Sequence, residues 1–469
     1  MNKKCQVFTP EDIVNALLDY MGYSNNLFGK KILENSCGDG NILVEVVNRY
    51  IRDCLEHGMN LDLIKQGLEN DIYGFEIDKI HQRKCIKNLH LIAKNHQIYK
   101  VKWNILNTDF LKHDLKIGFD FVVGNPPYIT YEELDVPTRS FIKENFTVCS
   151  EGKVDYCYAF IQAGWNSLTV GGKLCYIIPS NIFKNVFAQK LRDLMLPFLT
   201  NIYDYTSIKL FKNTLTSSAI ILLVNGNITT ELIYSDIVKG TTIGIEKENL
   251  KNKWMFLSRY NSNTNRNRRF GDYFKTSSSI ATLLNEAFVI KKFTEASTYV
   301  EVQNIKIERD VLLNAVSPQS LKRNKTEFII FPYFYSDGLL KKYNNEKFYK
   351  NFPQATTHLK KYHEKLLERD IDDKTEWYEY GRSQAIAHMN QEKLLVSTLI
   401  TNKVRAYLLS SETIPYSGLY IVPKSNLPLD AAKEMLESVE FLEYVKSIGI
   451  NANSDSYRIT SKDIDNFYF

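Results

Sequence analysis

The architecture of this chain follows from the segment Phe119-Asp120-Phe121-Val122-Val123-Gly124-Asn125-Pro126-Pro127-Tyr128. Its apolar first part is typical of a buried β-strand, and the two prolines fix φ and remove two backbone N–H donors. The side chain of Asn125 and the carbonyl oxygens of Asn125 and Pro126 therefore remain as acceptors beside the ring of Tyr128. Such a turn suits the exocyclic amino group of a planar base, although it is also a rigid way to end a strand.

Outward from this segment, strands and helices alternate through the first half of the chain, which indicates a parallel sheet with crossover helices. Ahead of the first strand, Thr9 is expected to cap a helix that begins at Pro10. The predicted strands are residues 31–34, 72–76, 101–105, 119–124, 173–178, 202–205 and 218–224. We therefore predict the α/β class with a Rossmann-like, seven-stranded sheet.

The regular alternation weakens after Asn225, and short aromatic-rich strands and helices follow. We therefore predict two domains, residues 1–235 and residues 236–469, the second a smaller α+β domain. The net charge of +5 comes from the second half of the chain. Residues 1–239 are neutral, so the pattern favours a catalytic domain followed by a domain that meets phosphates, although an excess of five charges also fits compositional scatter.

Composition places the chain among intracellular globular proteins. Its 469 residues are 44% hydrophobic and 24% charged, and the longest apolar run, residues 219–224, is too short to span a bilayer. The first residues are polar and lead into a helix, so no signal peptide is expected. The seven cysteines show no CxxC pair and no ligand spacing with histidine, which indicates free thiols and no metal site.

Polar and aromatic residues follow the carboxyl ends of successive predicted strands, where an open parallel sheet binds its ligands. In chain order these are residues 34–40, Glu76, Asp109-Phe110 and residues 125–128. Glu76 suits bidentate hydrogen bonds to ribose hydroxyls, and Asp109 could accept an amino hydrogen from a purine that packs on Phe110. The loop of residues 37–40 lacks the third glycine of a dinucleotide fingerprint, which argues against NAD.

These motifs, in this order, resemble those of the gamma group of adenine-N6 DNA methyltransferases from type II restriction–modification systems, the Taq-type enzymes with a C-terminal specificity domain. The shared elements are Val7-Phe8-Thr9-Pro10, Ser36-Cys37-Gly38-Asp39-Gly40, Phe75-Glu76-Ile77-Asp78, Thr108-Asp109-Phe110 and Asn125-Pro126-Pro127-Tyr128. The likeness covers about residues 5–225. Departures are Asn35, where the family usually has proline, and a long interval between Gly40 and Glu76 that we interpret as an inserted helix.

The resemblance implies S-adenosylmethionine as the cofactor. Its methionine part would meet Thr9 and the loop of residues 37–40, its ribose Glu76, and its adenine Asp109 and Phe110, with Phe160 over the other face. The cofactor-binding residues implied are Thr9, Glu34, Ser36, Cys37, Gly38, Glu76, Asp109, Phe110, Asn125 and Phe160. The catalytic residues implied are Asn125, Pro126, Tyr128 and Phe211, the two aromatic rings holding the target base between them.

Candidate DNA contacts lie in the second half. The polar stretch of residues 258–271 offers Arg266, Arg268 and Arg269 as phosphate contacts, or is simply a solvated loop. The segment Trp377-Tyr378-Glu379-Tyr380-Gly381-Arg382-Ser383-Gln384 is similar to an element of these specificity domains and suggests Arg382 and Gln384. It also fits an aromatic turn within a core.

The function implied is site-specific methylation of adenine N6 in duplex DNA, protecting that DNA from a partner restriction endonuclease. The expected partners are double-stranded DNA and, if the system is paired, a separately encoded endonuclease. A monomer in the bacterial cytoplasm with no membrane contact is expected. The alternatives are glutamine-N5 or RNA methylation with the same Asn-Pro-Pro-Tyr site, methylation of cytosine N4, and a DNA-binding subunit without activity.

Overall fold

The computed structural model describes residues 9–206, 208, 217–256, 268–372, 375–382, 384–453 and 456–469. The chain divides into two compact units, Met1–Ser262 and Asn263–Phe469. The sequence predicted this division after residue 235. The structure places two further strands, at residues 231–236 and 241–246, in the sheet of the first unit.

Within the described residues, one nine-stranded sheet organises the first unit, where the sequence predicted seven strands. The strands are β1 (Ile32–Glu34), β2 (Ile72–Phe75), β3 (Asn104–Leu106), β4 (Phe119–Gly124), β5 (Leu168–Pro179), β6 (Leu199–Asp204), β7 (Ser218–Val224), β8 (Glu231–Asp236) and β9 (Thr241–Glu246). Their order is β3-β2-β1-β4-β5-β7-β6-β8-β9. The five strands from β3 to β5 are parallel, whereas β7 runs antiparallel to both β5 and β6.

Helices cover both faces of this sheet. They are α1 (Glu11–Met21), α2 (Asn41–Glu56), α3 (Leu61–Asp71), α4 (Lys79–Asn95), α5 (Val136–Asn145), α6 (Cys157–Asn166) and α7 (Gln189–Met195). Side chains of α1 to α4 share one buried cluster with Ile32 and Val123, and side chains of α5 to α7 share the other with Leu33 and Val122. Because neighbouring residues of one strand enter opposite clusters, apolar side chains follow one another directly in β1 (Ile32, Leu33) and β4 (Val122, Val123) rather than alternating with polar ones.

The crossovers bring the carboxyl ends of the central strands to one edge. Glu34 at the end of β1 is in register with Gly74 of β2 and Val123 of β4. The segments that follow these three strands therefore meet there, as the sequence predicted. The predicted inserted helix is α3. The first helix begins at Glu11 with Pro10 as its cap, so the predicted Thr9 cap was wrong by one residue.

The second unit contains short strands in several small sheets. The strands are β10 (Phe274–Ser278), β11 (Val289–Ile290), β12 (Thr294–Glu295), β13 (Tyr299–Val302), β14 (Ile305–Glu308), β15 (Leu312–Val316), β16 (Glu327–Ile330), β17 (Tyr333–Ser336), β18 (Leu339–Lys342), β19 (Lys393–Val396), β20 (Leu399–Ile400), β21 (Ala406–Leu409), β22 (Thr413–Pro415), β23 (Leu419–Pro423), β24 (Ile450–Asn453) and β25 (Ser456–Arg458). The helices are Phe270–Tyr273, Asn285–Phe288, Pro318–Lys322, Asn345–Asn351, Pro353–Lys360, His363–Leu367, Leu429–Glu437, Val439–Ile448 and Ser461–Asp465.

An aromatic core holds this unit together. Tyr378 and Tyr380 are fully buried, and the ring of Tyr378 stacks on Phe348 with centroids 4.4 Å apart. Arg369 fixes the same segment by donating hydrogen bonds to the carbonyl oxygens of Trp377 and Glu379 at 2.7 and 3.0 Å. The aromatic residues of the segment 377–384 therefore belong to the core.

Candidate active site

A cavity of about 250 Å³ opens at the carboxyl ends of β1, β2 and β4 in the first unit. Its wall combines carboxylates, small loop residues and aromatic rings. The lining residues are Thr9, Glu34, Asn35, Ser36, Cys37, Gly38, Asp39, Asn41, Ile42, Phe75, Glu76, Ile77, Asp78, His81, Thr108, Asp109, Phe110, Asn125, Pro127, Ile129, Tyr156 and Phe160.

Glu76, directly after β2, is fixed by the backbone. Its Oε2 accepts the N–H of Gly38 at 2.9 Å, and its Oε1 accepts the N–H of Asp78 at 2.8 Å. Each carboxylate oxygen therefore keeps lone pairs for a further donor. The side chain is oriented before any ligand binds, and it can receive two hydroxyl groups at once.

A tight turn forms the floor of the cavity between β1 and α2. The N–H of Gly40 donates to the carbonyl oxygen of Cys37 at 2.7 Å, and both Gly38 (φ 52°) and Gly40 (φ 84°) are left-handed. A Cβ at Gly40 would lie 2.5 Å from Sγ of Cys85 on α4, so α4 packs directly against this turn. Glycine is therefore required at Gly40 by both conformation and space.

Asp39 of the same turn is buried and bridges to α4. Its carboxylate accepts hydrogen bonds from Nδ1 of His81 at 2.6 Å and from Nζ of Lys84 at 2.5 Å. Burial by itself raises the pKa of Asp39, but the hydrogen bonds from Lys84 and His81 outweigh burial and lower that pKa. Asp39 therefore remains an anion that fixes the turn to the helix.

Aromatic rings form one end of the cavity. The rings of Phe110 and Phe160 are inclined by only 27° with centroids 6.3 Å apart, and Phe75 and Tyr156 pack edge-on against them. Asp109 precedes Phe110 and accepts the N–H of Leu111 at 3.1 Å, which starts a short 3₁₀ turn. This end of the cavity suits a flat heteroaromatic ring.

Asn125 directly follows β4 and lines the same cavity. Its Nδ2 lies 3.4 Å from Oγ1 of Thr9, and Oγ of Ser36 lies 3.5 Å from its carbonyl oxygen. With the amide nitrogen directed to Thr9, the amide oxygen is left as an acceptor. Thr9 and the Ser36 turn thereby set the orientation of this residue.

Glu34 ends β1 beneath the turn and is almost fully buried. Burial raises the pKa of its carboxyl group well above the usual range, and nearby Cys85 and Glu76 add to the effect. Its buried Oε2 has no hydrogen-bond partner among the described residues. A buried carboxyl oxygen without a partner is costly, so this atom favours a ligand that brings a donor.

The segment before α6 packs under Tyr128. Burial raises the pKa of Asp155 to about 6, although the N–H of Cys157 donates to its Oδ1 at 3.1 Å and opposes that rise. Burial, together with Cys157 and Asp155, raises the pKa of the Tyr128 hydroxyl. The half-buried ring of Tyr128 therefore remains neutral and packs against the core.

All ten residues predicted to bind the cofactor line this one cavity. Of the residues predicted to be catalytic, Asn125 lines it, whereas the buried Pro126 and the half-buried Tyr128 follow it in the chain without lining the cavity. Phe211 and Arg266 lie outside the described residues. The roles of all these residues stay predictions.

The other predicted DNA contacts are in the second unit. Arg268 and Gln384 are exposed. Arg269 donates to Oδ1 of Asn466 at 3.0 Å, and Arg382 pairs with Asp370 and Asp372 at 3.3 and 3.2 Å. The guanidinium groups of Arg269 and Arg382 therefore already have partners within the unit, and a phosphate would have to share or displace them.

The sequence reading missed several residues of the cavity, among them His81, Tyr156 and Asn41. His81 and Asn41 lie within the first turns of α4 and α2, so no strand end marks them. Among the described residues, no group of three or more His, Cys, Asp or Glu side chains is arranged to hold a metal ion. In the same part of the chain, no helix combines the length and apolarity that a membrane span needs.

Comparison with known sequences identifies proteins similar to this chain. Residues 44–211 match the family model described as Eco57I restriction-modification methylase. The type II methyltransferase M.XhoI of Xanthomonas vasicola is 27% identical over 46% of this chain and 42% of its own length. M.BstVI of Geobacillus stearothermophilus is 22% identical over 96% of this chain and 87% of its own length. The chain is thus similar to type II methyltransferases, and it spans less than half of M.XhoI.

Two solved structures share the fold across nearly the whole chain. The type IIL restriction-modification enzyme MmeI in complex with DNA superposes with a TM-score of 0.62 at 15% identity, covering 97% of this chain and 64% of that one. A nuclease-deletion mutant of the type ISP enzyme LlaGI, bound to a DNA substrate mimic, gives 0.56 at 14% identity, covering 98% and 46%. At these identities the likeness shows the fold alone.

Proposed function

We propose that this protein is a site-specific DNA methyltransferase that transfers a methyl group from S-adenosylmethionine to N6 of an adenine flipped out of duplex DNA. The observation that carries the proposal is the position of Asn125. Its side chain shares one cavity with the doubly anchored Glu76 and directs its amide nitrogen towards Thr9. The acceptor oxygen thus faces a site that can also hold a nucleoside.

The residues of the cavity fit the cofactor. Glu76 would accept ribose hydroxyls with the lone pairs that Gly38 and Asp78 leave free. Phe110 and Phe160 would hold the adenine between their nearly parallel rings, and the unpartnered Oε2 of Glu34 favours a donor such as an ammonium group. When bound, S-adenosylmethionine supplies a methyl group on a positively charged sulfur.

At the target base, the chain supplies acceptors rather than a nucleophile. The amino nitrogen of adenine is a poor nucleophile because its lone pair is delocalised into the ring. The side-chain oxygen of Asn125 and the carbonyl oxygen of Pro126 would accept its two hydrogens and localise the lone pair. Catalysis by this protein would therefore consist of positioning and electrostatic stabilisation.

The amino group cannot be reached inside a duplex, so the base must be flipped out of the helix, which costs about a few kcal/mol. Stacking on an aromatic ring stabilises an extruded base by about 1–3 kcal/mol. We assign this role to Tyr128, which directly follows the two prolines, and to Phe211. Burial of the Tyr128 ring against the core keeps it in place before DNA binds.

Sequence recognition is assigned to the second unit, where exposed Arg268 and Gln384 are candidate contacts to phosphate and to base edges. A DNA substrate is supported by two observations. The relatives are named type II methyltransferases, and a structure with the same fold was solved in complex with DNA. We propose that the protein acts as a monomer in the cytoplasm and protects DNA from a separately encoded endonuclease.

The proposal is tested by offering three classes of acceptor to the purified protein with labelled S-adenosylmethionine. The acceptors are unmethylated duplex DNA, total RNA, and release-factor protein with an unmodified glutamine. Transfer to DNA alone is expected, with Asn125→Ala protein as the blank. Transfer to RNA or to glutamine, with none to DNA, would overturn the assignment while keeping the cofactor.

A further inference from the structure

His81 is the one imidazole on the cavity wall within the described residues, and its sequence context gave no reason to single it out. It is the third residue of α4, and its side chain is only 20% exposed. One ring nitrogen, Nδ1, lies 2.6 Å from Oδ1 of Asp39. The ring is therefore held at a defined angle between the turn of residues 37–40 and the cavity.

Asp39 fixes which nitrogen carries the hydrogen. Its carboxylate accepts from both His81 and Lys84, and Nδ2 of Asn88 donates to its backbone carbonyl at 2.9 Å. A carboxylate can only accept hydrogen bonds, so Nδ1 of His81 must be the protonated nitrogen. In the neutral ring, Nε2 is then an acceptor, and no described residue hydrogen-bonds to it.

The turn that positions His81 also positions Glu76. Gly38 donates its N–H to Oε2 of Glu76, and the next residue, Asp39, holds the imidazole. On the helix side, the N–H of Asp78 donates to Oε1 of Glu76, and the carboxylate of Asp78 caps the helix that carries His81. The carboxylate and the imidazole thus belong to one rigid wall of the cavity.

We infer that His81 is a second receptor for the ribose diol of the cofactor, Nε2 accepting one hydroxyl hydrogen while Glu76 accepts the other. This inference rests on the proposed function, because it takes a nucleoside cofactor as the ligand. The diol has two hydroxyl hydrogens to donate. The two oxygens of Glu76 could receive both, and we assign one of them to His81 because its Nε2 is an acceptor to which no described residue hydrogen-bonds. The competing role for His81 is purely structural, as a brace between α4 and the turn.

A thermodynamic cycle that combines ligand analogues with His81 variants separates the two roles. Isothermal titration calorimetry on the full chain measures binding of S-adenosylhomocysteine and of its 2′-deoxy and 3′-deoxy analogues to wild type, His81→Ala and His81→Gln. We expect His81→Ala to weaken binding of the parent ligand about three- to tenfold, which is the range for one hydrogen bond. One of the two deoxy analogues lacks the hydroxyl group that we assign to His81. His81→Ala and wild type should bind that analogue with equal affinity.

Lys84→Ala provides the matched control, since it removes the other side-chain donor to Asp39 at a side chain that is 58% exposed and does not line the cavity. It should change the affinity of all three ligands by less than twofold. Melting temperatures establish that each variant is folded, and His81→Gln offers an acceptor of similar reach should the alanine variant unfold.

The outcomes are distinguishable. An equal loss for the parent ligand and both deoxy analogues would make His81 a brace and overturn this inference alone. Wild-type protein that binds none of the three ligands would overturn the proposed function as well. The inference is supported if removing one of the two hydroxyl groups from the ligand weakens binding to wild type but not to the His81 variants.

Discussion

Asn125 is the residue on which the proposed chemistry depends. Its amide nitrogen donates to Thr9, so truncation removes an acceptor from the base while the hydrogen bonds that orient Glu76 are untouched. We expect Asn125→Ala to lower kcat by about 10²–10³, the range for loss of one transition-state hydrogen bond. Single-turnover transfer to DNA measures the rate, and calorimetry should show nearly unchanged cofactor affinity.

Asn227→Ala is the matched control for Asn125→Ala, because Asn227 is exposed in the loop between β7 and β8. It should leave both the rate and the affinity unchanged. A loss of cofactor affinity in Asn125→Ala as large as its loss of rate would contradict a role for Asn125 at the target base.

Glu76 should matter for binding rather than for the chemical step. Even Glu76→Gln is unfavourable, because its amide nitrogen must face the N–H of Gly38 or Asp78, both of which need an acceptor. Loss of hydrogen bonds to a charged group weakens binding by about 1.5–3 kcal/mol, or roughly 10- to 150-fold. Calorimetry with S-adenosylhomocysteine measures this, with the exposed Glu56→Gln as control. Unchanged affinity in Glu76→Gln would remove the ribose assignment.

Apart from Phe160 in α6, which the family resemblance supplied, the residues that sequence reading placed in the cavity lie at or just after strand ends or immediately before the first helix. Glu76 and Asn125 could be found because a parallel sheet gathers such positions at one edge. His81 and Tyr156 could not, since their places depend on how α4 and α6 pack against the turn and the rings. Contacts that depend on how helices pack cannot be predicted from the local sequence.

At the scale of elements, the turn between β1 and α2 is the most constrained part of the site. A Cβ at Gly38 would meet nothing within 4 Å, whereas a Cβ at Gly40 would meet Sγ and Cβ of Cys85. Both positions are left-handed, so alanine at either should destabilise the first unit by about 1–2 kcal/mol. Gly40→Ala should lower the free energy of unfolding by about a further 1–3 kcal/mol, because the added methyl group overpacks against Cys85.

Urea denaturation monitored by fluorescence compares the two glycine variants. The double variant Gly40→Ala/Cys85→Ala should recover part of the added loss, because it clears the contact with α4. Equal destabilisation by Gly38→Ala and Gly40→Ala would show that α4 does not press on this turn.

The segment before α6 should make stability depend on pH. Burial raises the pKa of Asp155 to about 6, above its value in an unfolded chain. The folded state therefore binds this proton more tightly, and the stabilisation is complete below pH 4 and lost as the pH rises through 6. The loss is at most about 3 kcal/mol, less any screening by solvent.

Asp155→Asn removes this titration and retains an oxygen that can accept the N–H of Cys157. Its melting temperature should match wild type near pH 4 and exceed it above pH 7. Asp114→Asn, at an exposed position, should show no such gain. A variant that is equally shifted at both pH values would contradict a buried, protonated Asp155.

The order of elements in the first unit could be predicted because hydrophobic runs, turns and helix signals alternate regularly. The last two strands, β8 and the edge strand β9, could not be assigned to the sheet. Both carry exposed polar residues, and the weakening of the alternation after Asn225 suggested an earlier end to the domain. Only pairing with β6 reveals that they extend the sheet.

At the scale of the whole molecule, the boundary between the units makes a testable difference. Ile245, Leu250, Trp254 and Phe256 are buried in the same cluster as the strands of the first unit. A chain ending at residue 256 should therefore keep a cooperative melt and bind the cofactor, whereas one ending at residue 235 should not. Calorimetry and thermal unfolding of the two truncations compare them.

The longer truncation also tests the second unit. Without residues 257–469, cofactor binding should persist, and methylation of duplex DNA should lose its restriction to one sequence or disappear. Methylation-aware sequencing of the product DNA measures this. Site-restricted methylation by the truncated chain would place recognition in the first unit.

The central claim is that the acceptor oxygens at the end of β4 present adenine N6 for methylation. The most direct measurement is tritium transfer from labelled S-adenosylmethionine to unmethylated duplex DNA, followed by digestion and separation of the nucleosides. We expect the label in N6-methyldeoxyadenosine, and we expect Asn125→Ala to lower the rate of labelling by about 10²–10³. Label in N4-methylcytosine, or in no nucleoside while the cofactor still binds, would contradict the account.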